Sequence, residues 1–135
     1  MGIDPGPKPG VVILQIAGSA VVHAGRLRPD QVPALIPAVE LVALERFILG
    51  RGTTRRTKAG SLETLAYIEQ VRAWAHAAGV RLVEYPAGVV KPWATDDRLR
   101  AFGCYVTGDH DRDAVRHALY AAVRAGYLPR RPLGQ

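Results

Sequence analysis

The sequence predicts an α/β domain, and three observations carry that prediction. Val11–Ala17 is a nearly unbroken β-branched and aliphatic run closed by the turn pair Gly18-Ser19, with a second strand-like stretch, Ala20–Leu27, behind it. Glu40–Ile48 and Val80–Tyr85 are two further apolar strands. Between them Ser61–Ala78 runs without proline or glycine and stops at Gly79, the residue type that ends helices in a left-handed conformation.

The elements follow in order. Asp4 precedes Pro5, which pushes it toward extended geometry, and Pro5-Gly6 suits a tight turn, so a very short strand ends at Asp4. Pro5–Gly10 is a loop, and the next two strands complete an antiparallel meander. Arg28–Pro37 holds three prolines and is a connector with at most a short helical turn. A Gly-, Thr- and Arg-rich loop spans Gly50–Thr57, and Pro86–Ala94 is a loop carrying Lys91. Thr95 caps a short helix through Phe102. The last helix starts near Asp109, runs to about Ala125 and ends at Gly126. Residues 1–128 are expected to form one domain and residues 129–135 a basic, mobile tail.

Ser61–Ala78 carries two apolar sectors, Leu62, Ala66, Ala73 and Ala77 on one side and Tyr67, Val71, Trp74 and Ala78 on the other. One sheet needs only one stripe. The second is left for another subunit or for the last helix.

Composition narrows the function. The 135 residues suffice for a core without staples, and 48% hydrophobic with 22% charged residues excludes a wholly disordered chain. The net charge is +6, and all of it lies after residue 50, where 14 basic residues face 8 acidic ones. Such a balance favours an anionic partner, nucleic acid first. Cys104 is the only cysteine, so no internal disulfide or Cys-rich zinc site forms, which fits a reducing cytoplasm. The longest apolar stretch, Val11–Val22, falls short of the ~20 residues of a membrane span, and no secretory signal pattern opens the sequence. The expected setting is cytoplasmic, in a bacterial cell or a phage-infected host.

Three carboxylates stand where chemistry is usually placed. Asp4 ends the first strand, Glu45 lies near the end of the Glu40–Ile48 strand, and Asp113 lies at the start of the last helix. If the two strands are parallel neighbours, Asp4 and Glu45 emerge at one carboxyl edge of the sheet. Clustered carboxylates repel unless a cation sits between them, and hard oxygen donors suit Mg²⁺ or Mn²⁺. Two such ions roughly 3.5–4 Å apart are a common device for hydrolysing phosphodiesters. Each residue also has a plain role available, in a turn, at a solvated strand end or beside a helix dipole.

The motifs resemble a known family. Gly2-Ile3-Asp4-Pro5-Gly6 is similar to the opening motif of RuvC Holliday-junction resolvases, in the RNase H-like superfamily. Leu41-Val42-Ala43-Leu44-Glu45-Arg46-Phe47 resembles the second motif and Val89-Val90-Lys91 the Val-Lys segment after the fifth strand. His110-Asp111-Arg112-Asp113-Ala114 resembles the terminal motif. The four occur in family order and nearly span the chain. The resemblance implies an RNase H-like mixed five-stranded sheet, a three-stranded antiparallel meander plus two parallel strands, flanked by helices.

It also implies the chemistry. Asp4, Glu45 and Asp113 match the metal-binding carboxylates, and His110 the fourth position. Lys91 matches a residue that binds backbone phosphate or stabilises transition-state charge. The cofactor implied is Mg²⁺ or Mn²⁺, two ions per site. The substrate implied is branched DNA, four-way junctions first, cut by a homodimer in recombination and repair. Asp109, Asp111 and Glu40 compete for the acidic roles, but Asp111 points away from Asp113 and Glu40 begins its strand. The chain is shorter than typical bacterial members, as a bacteriophage protein could be, and the Pro-rich 28–37 segment replaces a helix. Phe47 and Ile48 both remain candidates for the bulky residue the family places after the second-motif Glu.

Arg51, Arg55, Arg56 and Lys58 lie within eight residues and follow the strand bearing Glu45, so with Lys91 they are the expected DNA contacts. Arg116, Arg124, Arg130 and Arg131 after Asp113 are consistent with a further, non-specific clamp. His117 and Arg124 continue a polar helical stripe and take no role of their own. Two other readings stay open: an RNA-processing RNase H-like nuclease of the YqgF type, and a non-catalytic nucleic-acid-binding module. No membrane or small-molecule cofactor is expected.

Overall fold

A computed structural model describes residues 1–47 and 55–134, without the side chains of residues 55–59. Five strands form one mixed sheet: β1 (Gly2–Asp4), β2 (Gly10–Ala17), β3 (Ala20–Leu27), β4 (Leu41–Arg46) and β5 (Arg81–Pro86), in the order β3-β2-β1-β4-β5. β1, β2 and β3 are the antiparallel meander, and β4 and β5 run parallel to β1. This is the RNase H-like mixed sheet expected from the sequence.

The Pro-rich connector forms three short helical turns, Pro29–Gln31, α1 (Val32–Leu35) and Ile36–Ala38. Proline sits in the first turn of each, where its missing N–H costs nothing. α2 (Arg55–Ala78) starts six residues before the predicted Ser61. Gly60 therefore lies inside it, a substitution that costs about 1 kcal/mol against alanine. This corrects the end of the expected Gly50–Thr57 loop, because Arg55, Arg56 and Thr57 lie in the first helical turns with Lys58, while residues 50–54 lie outside the described residues. Gly79 follows α2 with φ +67°, as a helix-stopping glycine does.

A second correction concerns Pro86–Ala94. It is not a loop: α3 (Ala87–Trp93) follows β5 directly, with Pro86 extended at its N-cap and Val90 fully buried. Only Pro92, in the last turn, breaks the pattern. α4 (Asp96–Ala101) is capped by the Thr95 hydroxyl, which accepts from the Arg98 N–H at 3.3 Å. α5 (Asp109–Arg124) is the last helix, and Leu128 beyond it still packs in the core.

Strand alternation sorts side chains to two faces. Ile3, Val11, Val42 and Leu44 point toward α2, where Ile68, Val71 and Ala75 meet them. The opposite face, with Val12, Leu41 and Ala43, lies under α5. α5 thus covers the other side of the sheet and leaves α2 alone, so it does not cover α2's second sector. That sector stays outside: Leu62 is 59% exposed, and Ala66, Ala73 and Ala77 are exposed with it.

Small residues set how closely α5 approaches. A Cβ at Gly2 would collide with the Ala114 carbonyl oxygen and stand 2.8 Å from the Ala118 Cβ. A Cβ at Gly10 would collide with the His110 carbonyl. The clashing atoms are helix backbone, which no rotamer change relieves. Gly2→Ala and Gly10→Ala should each destabilise the protein by about 1–3 kcal/mol, read as a lowered urea midpoint. Wild-type midpoints in both variants would show that the helix does not rest on these glycines.

Candidate active site

The parallel register of β1 and β4 pairs Gly2 with Ala43 and Ile3 with Leu44. One residue further on, Asp4 comes abreast of Glu45. Both share the face of Gly2, Leu41 and Ala43, so both lie toward α5. The first half of α5, anchored over Gly10 and Gly2, brings His110 and Asp113 to the same place. Asp4 is buried, 6% exposed, and Glu45 is half-buried.

The two strand carboxyls hydrogen-bond to each other, a contact that raises the Glu45 pKa and lowers that of Asp4. Burial, the hydrogen bond to Asp4 and the Asp4 charge push the Glu45 carboxyl up to about 7. Burial also raises Asp4, an effect offset by the Glu45 hydrogen bond and the Lys91 charge and reinforced by Asp113. His110 Nδ1 lies 3.0 Å from Asp4 Oδ2. A carboxylate only accepts, so Nδ1 carries the proton there and Nε2 is left as the uncommitted nitrogen.

Asp113 has two cations of its own. Lys91 Nζ stands 3.2 Å from Oδ2, and the Arg116 guanidinium 3.4 Å from Oδ1. Arg116 also pairs with Asp96 and keeps only 14% of its side chain exposed. That corrects its reading as part of a DNA clamp: it is a structural cation inside an ion-pair network. The signal was present in the i, i+3 spacing of Asp113 and Arg116. The competing acids sit elsewhere. Asp111 pairs with Arg26 at 3.0 Å and Asp109 with Arg112 at 3.0 Å. Glu40 precedes β4, at the far edge of the sheet.

His117, given no role from sequence, is fully buried, and neither ring nitrogen has a hydrogen-bond partner among the described residues. Burial lowers its pKa, against the opposing pull of Glu45 and Asp113, and Lys91 lowers it further. It is one helical turn beyond Asp113, a position that a helical wheel could have flagged. Of the expected DNA contacts, Lys91 is at the site. Arg55, Arg56 and Lys58 belong to the start of α2, and Arg51 lies outside the described residues, as does Ile48. Phe47 packs with the α2-side core.

Among the described residues no three His, Cys, Asp or Glu side chains stand ready to hold a metal ion. Asp4 and Glu45 are nonetheless a donor set that fits one hard divalent cation: two adjacent, desolvated oxygen donors whose charges repel each other. Asp113 is available to a cation only in exchange for Lys91 or Arg116.

No protein-family model and no curated protein matches the sequence. Solved structures do match in fold. Thermus thermophilus RuvC in complex with a Holliday junction substrate superimposes with a TM-score of 0.63 at 22% identity, covering 98% of this chain and 97% of that one. A structure of Thermus thermophilus RuvC gives 0.59 at 21% identity, covering 98% of each chain.

A raised carboxyl pKa has a defined consequence for stability. Between about pH 4.5 and 7 the folded state holds a proton at Glu45 that the unfolded chain has lost, so stability from this group falls as pH rises and stays low above 7. His117 acts oppositely, costing stability as pH falls below its unfolded value. Glu45→Gln isolates the first effect. It should stabilise the metal-free protein by at most about 3 kcal/mol at pH 8 and by nearly nothing at pH 4, measured by denaturant unfolding at both. An equal gain at both pH values would contradict the shared-proton arrangement. Over its full length, the chain has the fold of RuvC.

Proposed function

We propose that this protein is a metal-dependent endonuclease for branched DNA, with four-way junctions as its first substrate. The observation that carries the reading is the side-by-side burial of Asp4 and Glu45 beneath the α5 segment bearing His110 and Asp113, in a chain that matches RuvC end to end in fold.

The residues divide the work. Asp4 and Glu45, with Asp113, would hold Mg²⁺ or Mn²⁺, one ion or the two that the family resemblance implies. A bound ion would supply Lewis-acid polarisation of the scissile phosphate. Lys91 sets an ammonium beside Asp113, where it would neutralise charge gathering on the phosphate oxygens. His110 Nε2 is free to accept a proton from the attacking water, while Nδ1–H···Asp4 fixes its tautomer. Water attacks phosphorus, the bond to the 3′-oxygen breaks, and the products are a 5′-phosphate and a 3′-hydroxyl. Arg51, Arg55, Arg56 and Lys58, which follow the Glu45 strand in sequence, would supply backbone contacts.

Asp4→Asn keeps the shape of a buried side chain and removes its charge. Junction cleavage in Mg²⁺ or Mn²⁺ should fall at least about 100-fold in this variant and vanish in EDTA, with paired symmetric cuts in the wild type. Metal-dependent cleavage of RNA but not of junctions would favour a processing nuclease. Binding without cleavage would favour a non-catalytic module.

A two-fold junction needs two symmetric cuts, and we assign the second copy to the exposed Leu62, Ala66, Ala73 and Ala77 sector of α2. Leu62→Glu should convert a dimer to a monomer in analytical ultracentrifugation. A wild-type monomer at micromolar concentration, or a Leu62→Glu dimer, would refute this assignment.

A further inference from the structure

Beyond the carboxylates, Trp93, Tyr120, Val123, Arg124 and Arg130 line a cleft of about 290 Å³. Its floor is aromatic. Tyr120 stands edge-on to Tyr85, with centroids 4.9 Å apart, and to Trp93 at 5.6 Å. The Arg98 guanidinium covers one face of Trp93, 4.5 Å from its centroid. That face is closed to a stacking base, and the floor offers ring edges and apolar surface instead.

Its walls are cationic. Arg124 and Arg130 are exposed, and neither has a hydrogen bond or ion pair among the described residues. This sets them apart from Arg26, Arg72, Arg100, Arg112 and Arg116, each matched to a carboxylate. Two unneutralised guanidiniums beside an uncharged apolar floor suit an anion attached to an apolar body.

Position narrows the ligand. Tyr120 and Arg124 are seven and eleven residues after Asp113, so they continue its face of α5 at about 10 and 16 Å along the axis. At about 3.4 Å per nucleotide, that is some three to five nucleotides from a phosphate at the carboxylates.

We propose that this cleft is a second backbone contact for the nucleic-acid strand being cut. Arg124 and Arg130 bind its phosphodiester oxygens, and the sugar packs on Tyr120 and Trp93. The inference rests on the nuclease reading above and adds to it where an arm of the substrate runs.

The test is Arg124→Gln with Arg130→Gln, two exposed positions outside the carboxylate centre. Binding of a fluorescein-labelled four-way junction is followed by anisotropy in EDTA between about 50 and 200 mM salt. The expected result is affinity at least about ten-fold weaker and a salt slope shallower by about 1.8, the loss of two phosphate contacts at about 0.9 each. Wild-type binding with an unaltered slope in the double variant would overturn the cleft and leave the nuclease reading standing. Wild-type binding without metal-dependent cleavage would overturn the nuclease reading, and the slope would still decide the cleft. If the wild type binds no nucleic acid, both fall.

Discussion

α5 crosses β1 and β2 at van der Waals contact because Gly2 and Gly10 offer no side chain to hold it off. That close seat decides where everything else on the helix falls. Ala114 and Ala118 rest over Gly2, so Asp113 arrives beside the strand ends. His110 rests over Gly10, so its imidazole reaches Asp4. A helix lifted by one methyl group would carry both side chains away from the strand carboxylates, and a displacement of about 1 Å in such a centre is enough to cost about 100-fold in rate.

The same seat explains why the centre is under electrostatic tension. The helix seals Asp4 from water, and desolvation falls on a pair of carboxyls only one strand apart. The raised pKa of Glu45 answers it at one carboxyl, and Lys91 and Arg116 answer it at Asp113. A divalent cation does the first task better than a proton, since it answers both charges at once. The buried pair therefore has a stability cost at neutral pH that a purely structural site would have little reason to keep.

Much of this was legible in the residues. The β-branched runs gave β2 and β3, and the Asp-Pro-Gly turn marked where β1 must stop. Gly79 and Gly126 marked the helix ends. The expected edge placement of Asp4 and Glu45 needed only a parallel register, which the β1–β4 pairing supplies. What failed was local. Arg55–Thr57 reads as loop beside its Gly- and Thr-rich neighbours, yet a helix accepts these residues, and α2 runs from Arg55 through Gly60. Prolines at both ends of 86–94 suggest a loop, but Pro86 lies at the N-cap of α3 and Pro92 in its last turn, and burial of Val90 stabilises the turn between. Arg116 was misjudged because its environment is tertiary: its partner Asp96 comes from α4.

Asp4 and Glu45 are proposed here to seat a catalytic cation. Anomalous diffraction from crystals grown with Mn²⁺ tests it most directly. A Mn²⁺ peak is expected at the Asp4 and Glu45 carboxylates, with the hydrogen bond between them lost. A well-ordered site holding no ion there, with the Asp4–Glu45 hydrogen bond intact at millimolar Mn²⁺, would contradict it.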